Sequence, residues 1–405
     1  MPARPIRLLT FSTLYPHAGA PNHGVFVENR LRHLLASGQA SALVVAPVPY
    51  FPPAAAALGA GRFQTWAQHA AAPLQEDRHG LSVHHPRYAV IPRIGMNLAP
   101  WLLYRACLPF LRRLLAAGAM PDLIDAHYLY PDGVAATWLG RALGLPVVIT
   151  ARGSDVTQIP DHAVPRRMIQ AAIARADALI TVSAALRDGL IALGAPAAKV
   201  TTLRNGVDTA LFQPGDRAAQ RAALGLRGPT LLSVGHLIAR KGHHRIIAAM
   251  ADLPDHQLLI AGEGPERARL ETLISQLGLG ARVRLLGTRP HAELPALYGA
   301  ADALVLASTR EGWANVLLEA MACGTPVLAS DIPGNPEVLR APEAGMLFRP
   351  NEPAAIAQAV RDLFTTPPDR AATRRYAEAF GWGETTAGQL ALFRRLLSAP
   401  TAARA

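Results

Sequence analysis

Two carboxylates eight residues apart, Glu311 and Glu319, bracket the start of a helix in EGWANVLLEAMACGTPVLAS, and such a pair can hold a ligand from both ends. The apolar run 303–307 reads as a strand ahead of Glu311, and Asn315 as the N-cap of a helix reaching Cys323, which Gly324 and Pro326 close. Glu319 then sits on the second turn among Leu317, Leu318, Ala320, Met321 and Ala322, where a buried carboxylate needs a partner. Backbone N–H groups after Gly312 lack helical partners and carry partial positive charge, which suits a polyhydroxyl or phosphate ligand. Arg240 and Lys241 follow the strand-like run 231–234 as adjacent cations, placed to neutralise a diphosphate. Lysine occurs only at 199 and 241, so its presence in this segment stands out. His127 ends the run 123–126 and can orient a hydroxyl, and Asp155, in the Ala-Arg-Gly-Ser-Asp turn after 147–150, can accept hydrogen bonds from one.

The elements that must position these groups alternate between strand-like runs and helical periods. Strands are expected at 6–11, 43–47, 123–126, 147–150 and 179–182, then at 231–234, 257–261, 283–286, 303–306 and 326–329. This alternation argues for an α/β chain of two doubly wound, Rossmann-like units with parallel sheets and ligands at the carboxyl ends of the strands. The length of 405 residues fits two domains of that size. The boundary is expected near residues 195–207, with a second break at Gln213-Pro214-Gly215-Asp216, giving domains of 1–200 and 201–384. Terminal helices are expected at 370–380 and 385–397, and 54–57 is the one alanine-rich tract.

Glu-x7-Glu followed by AMACGTPVLAS resembles the donor-site signature of retaining glycosyltransferase family 4. The resemblance covers nearly the whole chain and implies a GT-B fold with an interdomain active site, and hexosyl transfer from a nucleotide-diphosphate sugar with no cofactor and no metal. It implies that Glu311 touches the sugar hydroxyls, that the amides around Gly312, Trp313, Ala314 and Asn315 hold sugar and phosphates, and that Glu319 binds the ribose. Lys241 matches the lysine of a Gly-Arg-Leu-x3-Lys-Gly segment. His236 stands where the family has arginine, so either it or Arg240 takes that cation's role, and we assign it to Arg240. Gly24, after the first strand, is expected to let backbone N–H groups approach the diphosphate, and Gly262 and Gly264 resemble a Gly-x-Gly-Pro turn near the nucleotide. A histidine like His127 and a Gly-Ser-Asp turn like that of Asp155 also occur in the family, which implies a catalytic role for Glu311 and His127 and an acceptor or cleft position for Asp155. The last helix, 385–405, is expected to pack back and complete the first domain, which faces the acceptor, a glycan or lipid-linked hydroxyl of cell-surface polysaccharide or glycolipid synthesis.

Other classes find less support. Gly262-x-Gly264 opens like a dinucleotide fingerprint, but Arg267 occupies its third glycine position, and no Gly-x-Ser-x-Gly supports a serine hydrolase. There is no Asp-x-Asp to chelate a metal-bound diphosphate, and the pairs His84-His85 and His243-His244 lack metal-site spacing. A sugar phosphorylase or epimerase on the same scaffold, and a nucleotide-sugar-binding protein without turnover, are the alternatives. Residues 1–205 carry 19 basic against 10 acidic side chains, the remainder 21 against 19, so something acidic is expected to approach the first half. The basic residues are dispersed without interleaved aromatics, which argues against nucleic acid. The segment 101–115 mixes bulky apolar residues with arginines and resembles an interfacial membrane helix, or else a domain helix with an ordinary apolar face. No apolar leader precedes the first strand, and Cys107 and Cys323 read as unpaired thiols. A cytoplasmic protein, peripheral on the inner face of an anionic membrane, is the expectation.

Overall fold

The computed structural model describes residues 4–50, 71–91 and 95–398. The alanine tract at 54–57 and the end of the expected last helix, beyond 398, lie outside the described residues. The chain divides into two compact units, one drawn from Met1–Arg204 and Gly383–Ala405, the other Asn205–Trp382.

The first unit is built on strands β1 (Ile6–Phe11), β2 (Ala40–Val45), β3 (Val48–Tyr50), β4 (Gln75–Arg78), β5 (Leu81–His84), β6 (Arg87–Ala89), β7 (Leu123–His127), β8 (Val147–Ala151), β9 (Ala178–Thr181) and β10 (Val200–Thr202). Eight of them form one sheet in the order β10-β9-β8-β7-β1-β2-β5-β4, and β3 pairs separately with β6. Its pairs are parallel except the β4–β5 hairpin. The central strands are the continuous apolar runs of the sequence, because a parallel strand covered on both faces has no polar side to show. Leu8, Val44, Leu123, Val148 and Ile180 from them share a core with Val27, Leu31 and Leu34 of the helix Val25–Ala36. Leu390, Leu392 and Phe393 of the last helix, Gly383–Ser398, join the same core.

The second unit is a six-stranded, wholly parallel sheet. Its strands are β11 (Thr230–Val234), β12 (Gln257–Ala261), β13 (Val283–Gly287), β14 (Ala303–Leu306), β15 (Val327–Ser330) and β16 (Gly345–Phe348), in the order β13-β12-β11-β14-β15-β16. Strand order reverses beside β11, whose neighbours β12 and β14 lead away in opposite directions, so the loops leaving β11 and β14 flank a crevice of the kind that accepts ligands in doubly wound sheets. The sequence reading lacked β3 to β6, β10 and β16. Several of these are short or polar edge strands, and β4 in particular is Gln-Glu-Asp-Arg, which carries no apolar signal.

The segment 101–115 lies in the helix Ala99–Ala116, which buries Leu103, Cys107 and Leu111 at helical spacing and leaves Trp101, Arg105, Arg112 and Arg113 exposed. Among the described residues no helix is long and apolar enough to cross a membrane. Cys107 and Cys323 are both buried, unpaired thiols.

Candidate functional site

In the second unit the chain leaves β11 through Gly235 and makes a short turn, Ala239–Lys241, before Gly242 opens the next helix. Gly242 has φ of 72°, and a Cβ there would collide with the carbonyl of Ala307 at the end of the neighbouring strand. The two loops therefore lie one on the other: Thr309 N donates to Arg240 O at 2.9 Å, and the Arg240 guanidinium donates to Arg310 O at 2.8 Å. The Lys241 stem passes over Gly235, where a Cβ would meet its Cε at 3.4 Å.

That close approach brings the cations to Glu311. Lys241 Nζ donates to Glu311 Oε1 at 2.7 Å, Ser308 Oγ donates to the same oxygen at 2.6 Å, and Arg240 Nη1 lies 3.7 Å from Oε2. Glu311 retains only 8% of its side-chain exposure. Burial would raise its carboxyl, but Lys241, Ser308 and Arg240 together outweigh it and hold the group below its ordinary value. The sequence assigns Lys241 and Glu311 to different parts of a ligand; the structure joins them to each other as an ion pair. His236 is exposed where the chain leaves β11, while Arg240 is the cation that faces Glu311.

Glu319 belongs to a second constellation on the helix Asn315–Ala322. Tyr298 Oη donates to its Oε2 at 2.8 Å, and His291 Nε2 lies 3.5 Å from Oε1. The expected cap is corrected here: Ala314 is the residue ahead of the helix and gives no side-chain cap, while Asn315 is already helical. The Asn315 amide oxygen instead accepts from Asn205 Nδ2 at 3.2 Å, a partner 110 residues away that no local pattern could reveal. Trp313 and Ala314 are buried, so only backbone atoms of that turn are suited to a ligand, and Gly334 abuts the carbonyls of Glu311 and Gly312.

The glycines expected near a ligand also let segments of the chain pack closely. A Cβ on Gly262 would strike Gly235 O and one on Gly264 would strike Leu237, whose N–H donates to Glu263 O at 2.9 Å. Gly24, with φ of 69°, precedes the helix Val25–Ala36, and a Cβ there would overlap the Leu14 backbone.

In the first unit His127 and Asp155 are likewise committed to the protein. His127 is 1% exposed; Arg152 Nη2 donates to its Nδ1 at 2.7 Å, so the ring proton sits on Nε2, 3.4 Å from Asp125 Oδ2. Burial first, and Arg152 after it, keep this imidazole neutral. Asp155 is fully buried and accepts from the N–H groups of Leu129, Arg152 and Gly153, because a sharp turn after a central strand leaves those donors without ladder partners. Both side chains organise the strand tips through these contacts.

What sequence reasoning missed is the polar set beneath them. Arg30, pushed down to about 10 by burial, donates to Gln389 Oε1 at 3.1 Å and to Leu203 O at 3.0 Å, and Gln389 Nε2 donates to Asp125 Oδ2 at 3.2 Å. The signal was present: Arg30 falls three residues after Val27 on the buried face of an amphipathic helix. Asp132, raised to about 7 by burial, accepts from Thr13 N, Thr13 Oγ1 and Ser12 Oγ. Among the described residues no group of three or more His, Cys, Asp or Glu is placed to hold a metal ion.

Two family descriptions match the chain: Glycosyltransferase Family 4 at residues 24–211 and Glycosyl transferases group 1 at 216–380. D-inositol 3-phosphate glycosyltransferase 1 of Catenulispora acidiphila is 34% identical over 313 residues, 70% of this chain and 75% of that one. The D-inositol 3-phosphate glycosyltransferase of Mycobacterium tuberculosis is 32% identical over 307 residues, 70% of this chain but 63% of its own length. Among solved structures, sucrose-phosphate synthase from Thermosynechococcus elongatus superposes with a TM-score of 0.78 at 24% identity, covering 98% of this chain and 100% of that one. Anabaena Alr3699/HepE in complex with UDP and glucose gives 0.73 at 20% identity, covering 96% and 100%.

Proposed function

Because the chain belongs to glycosyltransferase family 4 and has its GT-B architecture of two Rossmann-like units, we propose that it moves a hexosyl group from a nucleotide-diphosphate sugar to an acceptor hydroxyl with retention of configuration and without a metal ion. The observation that carries this reading is the buried Lys241–Glu311 pair at the carboxyl edge of the second sheet. There one cation can meet the leaving diphosphate while the carboxylate beside it meets the sugar. Arg240 adds a second positive charge to the diphosphate, Glu311 orients the sugar through its hydroxyls, and Glu319 receives the ribose. The C1–O bond to the diphosphate breaks as the acceptor oxygen bonds to C1 on the same face, and the acceptor proton passes to the departing phosphate oxygen. Positive charge preorganised around that phosphate lowers the barrier by stabilising the charge that develops on it. HepE, whose structure holds UDP and glucose, supports a donor of this chemical class.

The acceptor we propose is a glycan or lipid-linked hydroxyl in polysaccharide or glycolipid synthesis, met by the basic first unit, with the enzyme lying peripherally on an anionic leaflet on the cytoplasmic side. A second reading, favoured by the names of the inositol phosphate relatives, is a small phosphorylated polyol. The test is a panel of nucleotide sugars screened by thermal shift, followed by turnover of the stabilising donor with lipid-linked glycans and with inositol phosphate, each with EDTA present. Sugar transfer that survives EDTA supports the proposal. Abolition with rescue by Mn²⁺ or Mg²⁺ overturns metal independence, and donor affinity without consumption leaves a nucleotide-sugar-binding protein.

A further inference from the structure

We propose that Tyr298, assisted by His291, is a positioning residue that fixes the Glu319 carboxylate so that its remaining lone pairs face the ribose diol of a nucleoside diphosphate; this rests on the reading of Glu319 as the ribose ligand. Tyr298 lies on the helix Leu294–Ala300 and is wholly buried, yet its one polar side-chain atom points at Glu319 Oε2, 2.8 Å away. His291 faces the other oxygen at 3.5 Å, so the carboxylate is approached from both sides. Phe212 sets its ring edgewise against both partners, at 5.1 Å from His291 and 6.0 Å from Tyr298. The Tyr298 carbonyl is held in turn by Thr325 Oγ1 at 2.6 Å. Burial, and then Glu319 itself, push the phenol well above its ordinary value, in keeping with its place as the donor of this bond.

The need for such a clamp follows from the geometry of a diol. Two vicinal hydroxyls donate best to a carboxylate whose plane is set in advance, and a glutamate side chain left to rotate loses entropy each time it is fixed by a ligand. Glu319 keeps 13% of its side-chain exposure, enough to be reached while most of its surface is committed to the clamp. A bond that merely satisfied two buried polar groups would affect folding and would be blind to the ribose.

Nucleoside diphosphate and its 2′,3′-dideoxy analogue distinguish the two, titrated against the wild type, Tyr298→Phe, Glu319→Gln and the double variant. Tyr298→Phe is expected to weaken the diphosphate about tenfold, to leave the dideoxy analogue within about twofold, and to have no further effect once Glu319 is Gln. Donor KM should rise in step while kcat at saturating donor holds. His291→Gln, at a half-buried position, gives the same pattern at smaller size and serves if Tyr298→Phe does not fold. Equal losses on both nucleotides, or an undiminished loss in the Glu319→Gln background, overturn the inference. Wild-type affinity in Glu319→Gln alone would instead overturn the assignment of Glu319 to the ribose.

Discussion

Lys241 and Glu311 form an ion pair that is structural as it stands and that we assign to the donor site. The pair is nearly buried, so its attraction is little screened, yet desolvating two charges is costly, and a site that keeps such a pair at a strand's carboxyl edge has a use for it. Because Glu311 is held below its ordinary value, its contribution to stability is complete above the unfolded carboxylate's pKa of about 4.3 and is lost as pH falls through its lower folded value. Melting curves of the wild type and Lys241→Met should therefore differ most near about pH 7 and converge in acid. A gap that widened in acid would contradict the assigned sign. At the same scale, Lys241→Ala and Glu319→Ala should each lose roughly 2–4 kcal/mol of nucleotide-diphosphate affinity by calorimetry while remaining folded, the loss expected when a desolvated charged contact is deprived of one partner. Unchanged binding in both would remove the donor site from this edge of the sheet.

At the scale of elements, central strands and their order of chemistry were readable because a covered parallel strand must be apolar throughout, as in Leu231-Leu232-Ser233-Val234 and Leu258-Leu259-Ile260. The polar edge strand β4 was not readable, since a strand shows itself by an apolar run or by apolar alternation and Gln75–Arg78 has neither. Glu311, Glu319 and the Arg240-Lys241 pair stand out in the sequence by residue type and spacing, and the structure places both cations against Glu311. Their distant partners were not legible: Tyr298 comes to Glu319 through tertiary packing, and Asn315 is engaged by Asn205 across the unit rather than by its own helix, while Ser308 reaches Glu311 from within the same loop. His127, Asp155, Gly24, Gly262 and Gly264 drew attention as residues of strand tips and turns, and the structure shows in addition how each satisfies or fits its turn, which local sequence does not reveal. Gly242 carries an element-level prediction. Its positive φ and its closeness to Ala307 O leave no room for a side chain, so Gly242→Ala must shift the loop that carries Lys241. It should cost about 2–4 kcal/mol in denaturant unfolding and lower activity more than stability alone explains. A variant as stable and as active as the wild type would show that the contact between the two loops is dispensable.

For the whole molecule, charge is the property that most distinguishes the two halves: residues 1–205 carry 19 basic against 10 acidic side chains, while the remainder is nearly balanced at 21 against 19. The helix Ala99–Ala116 concentrates part of that excess. Its exposed side presents Arg105, Arg112 and Arg113, with Trp101 half exposed under the Arg105 guanidinium at 5.5 Å, and Met96 and Leu98 are exposed just ahead of it. Apolar groups able to enter a headgroup layer beside cations able to meet its phosphates are what an interfacial helix requires, and each basic residue near an anionic surface contributes about 1 kcal/mol. We therefore expect the protein to co-sediment with anionic vesicles and not with neutral ones, and to be released by salt, because charges beyond a Debye length of about 8 Å are screened at physiological ionic strength. Arg112→Glu with Arg113→Glu should weaken that binding by roughly 2 kcal/mol or more while nucleotide affinity, which we assign to the second unit, stays at the wild-type value. Equal partition into neutral and anionic vesicles, or none into either, would mean that the arginines only solvate a domain helix; the acceptor would then come to the enzyme from solution, as a phosphorylated polyol would, and sugar transfer would proceed at the same rate with vesicles and without.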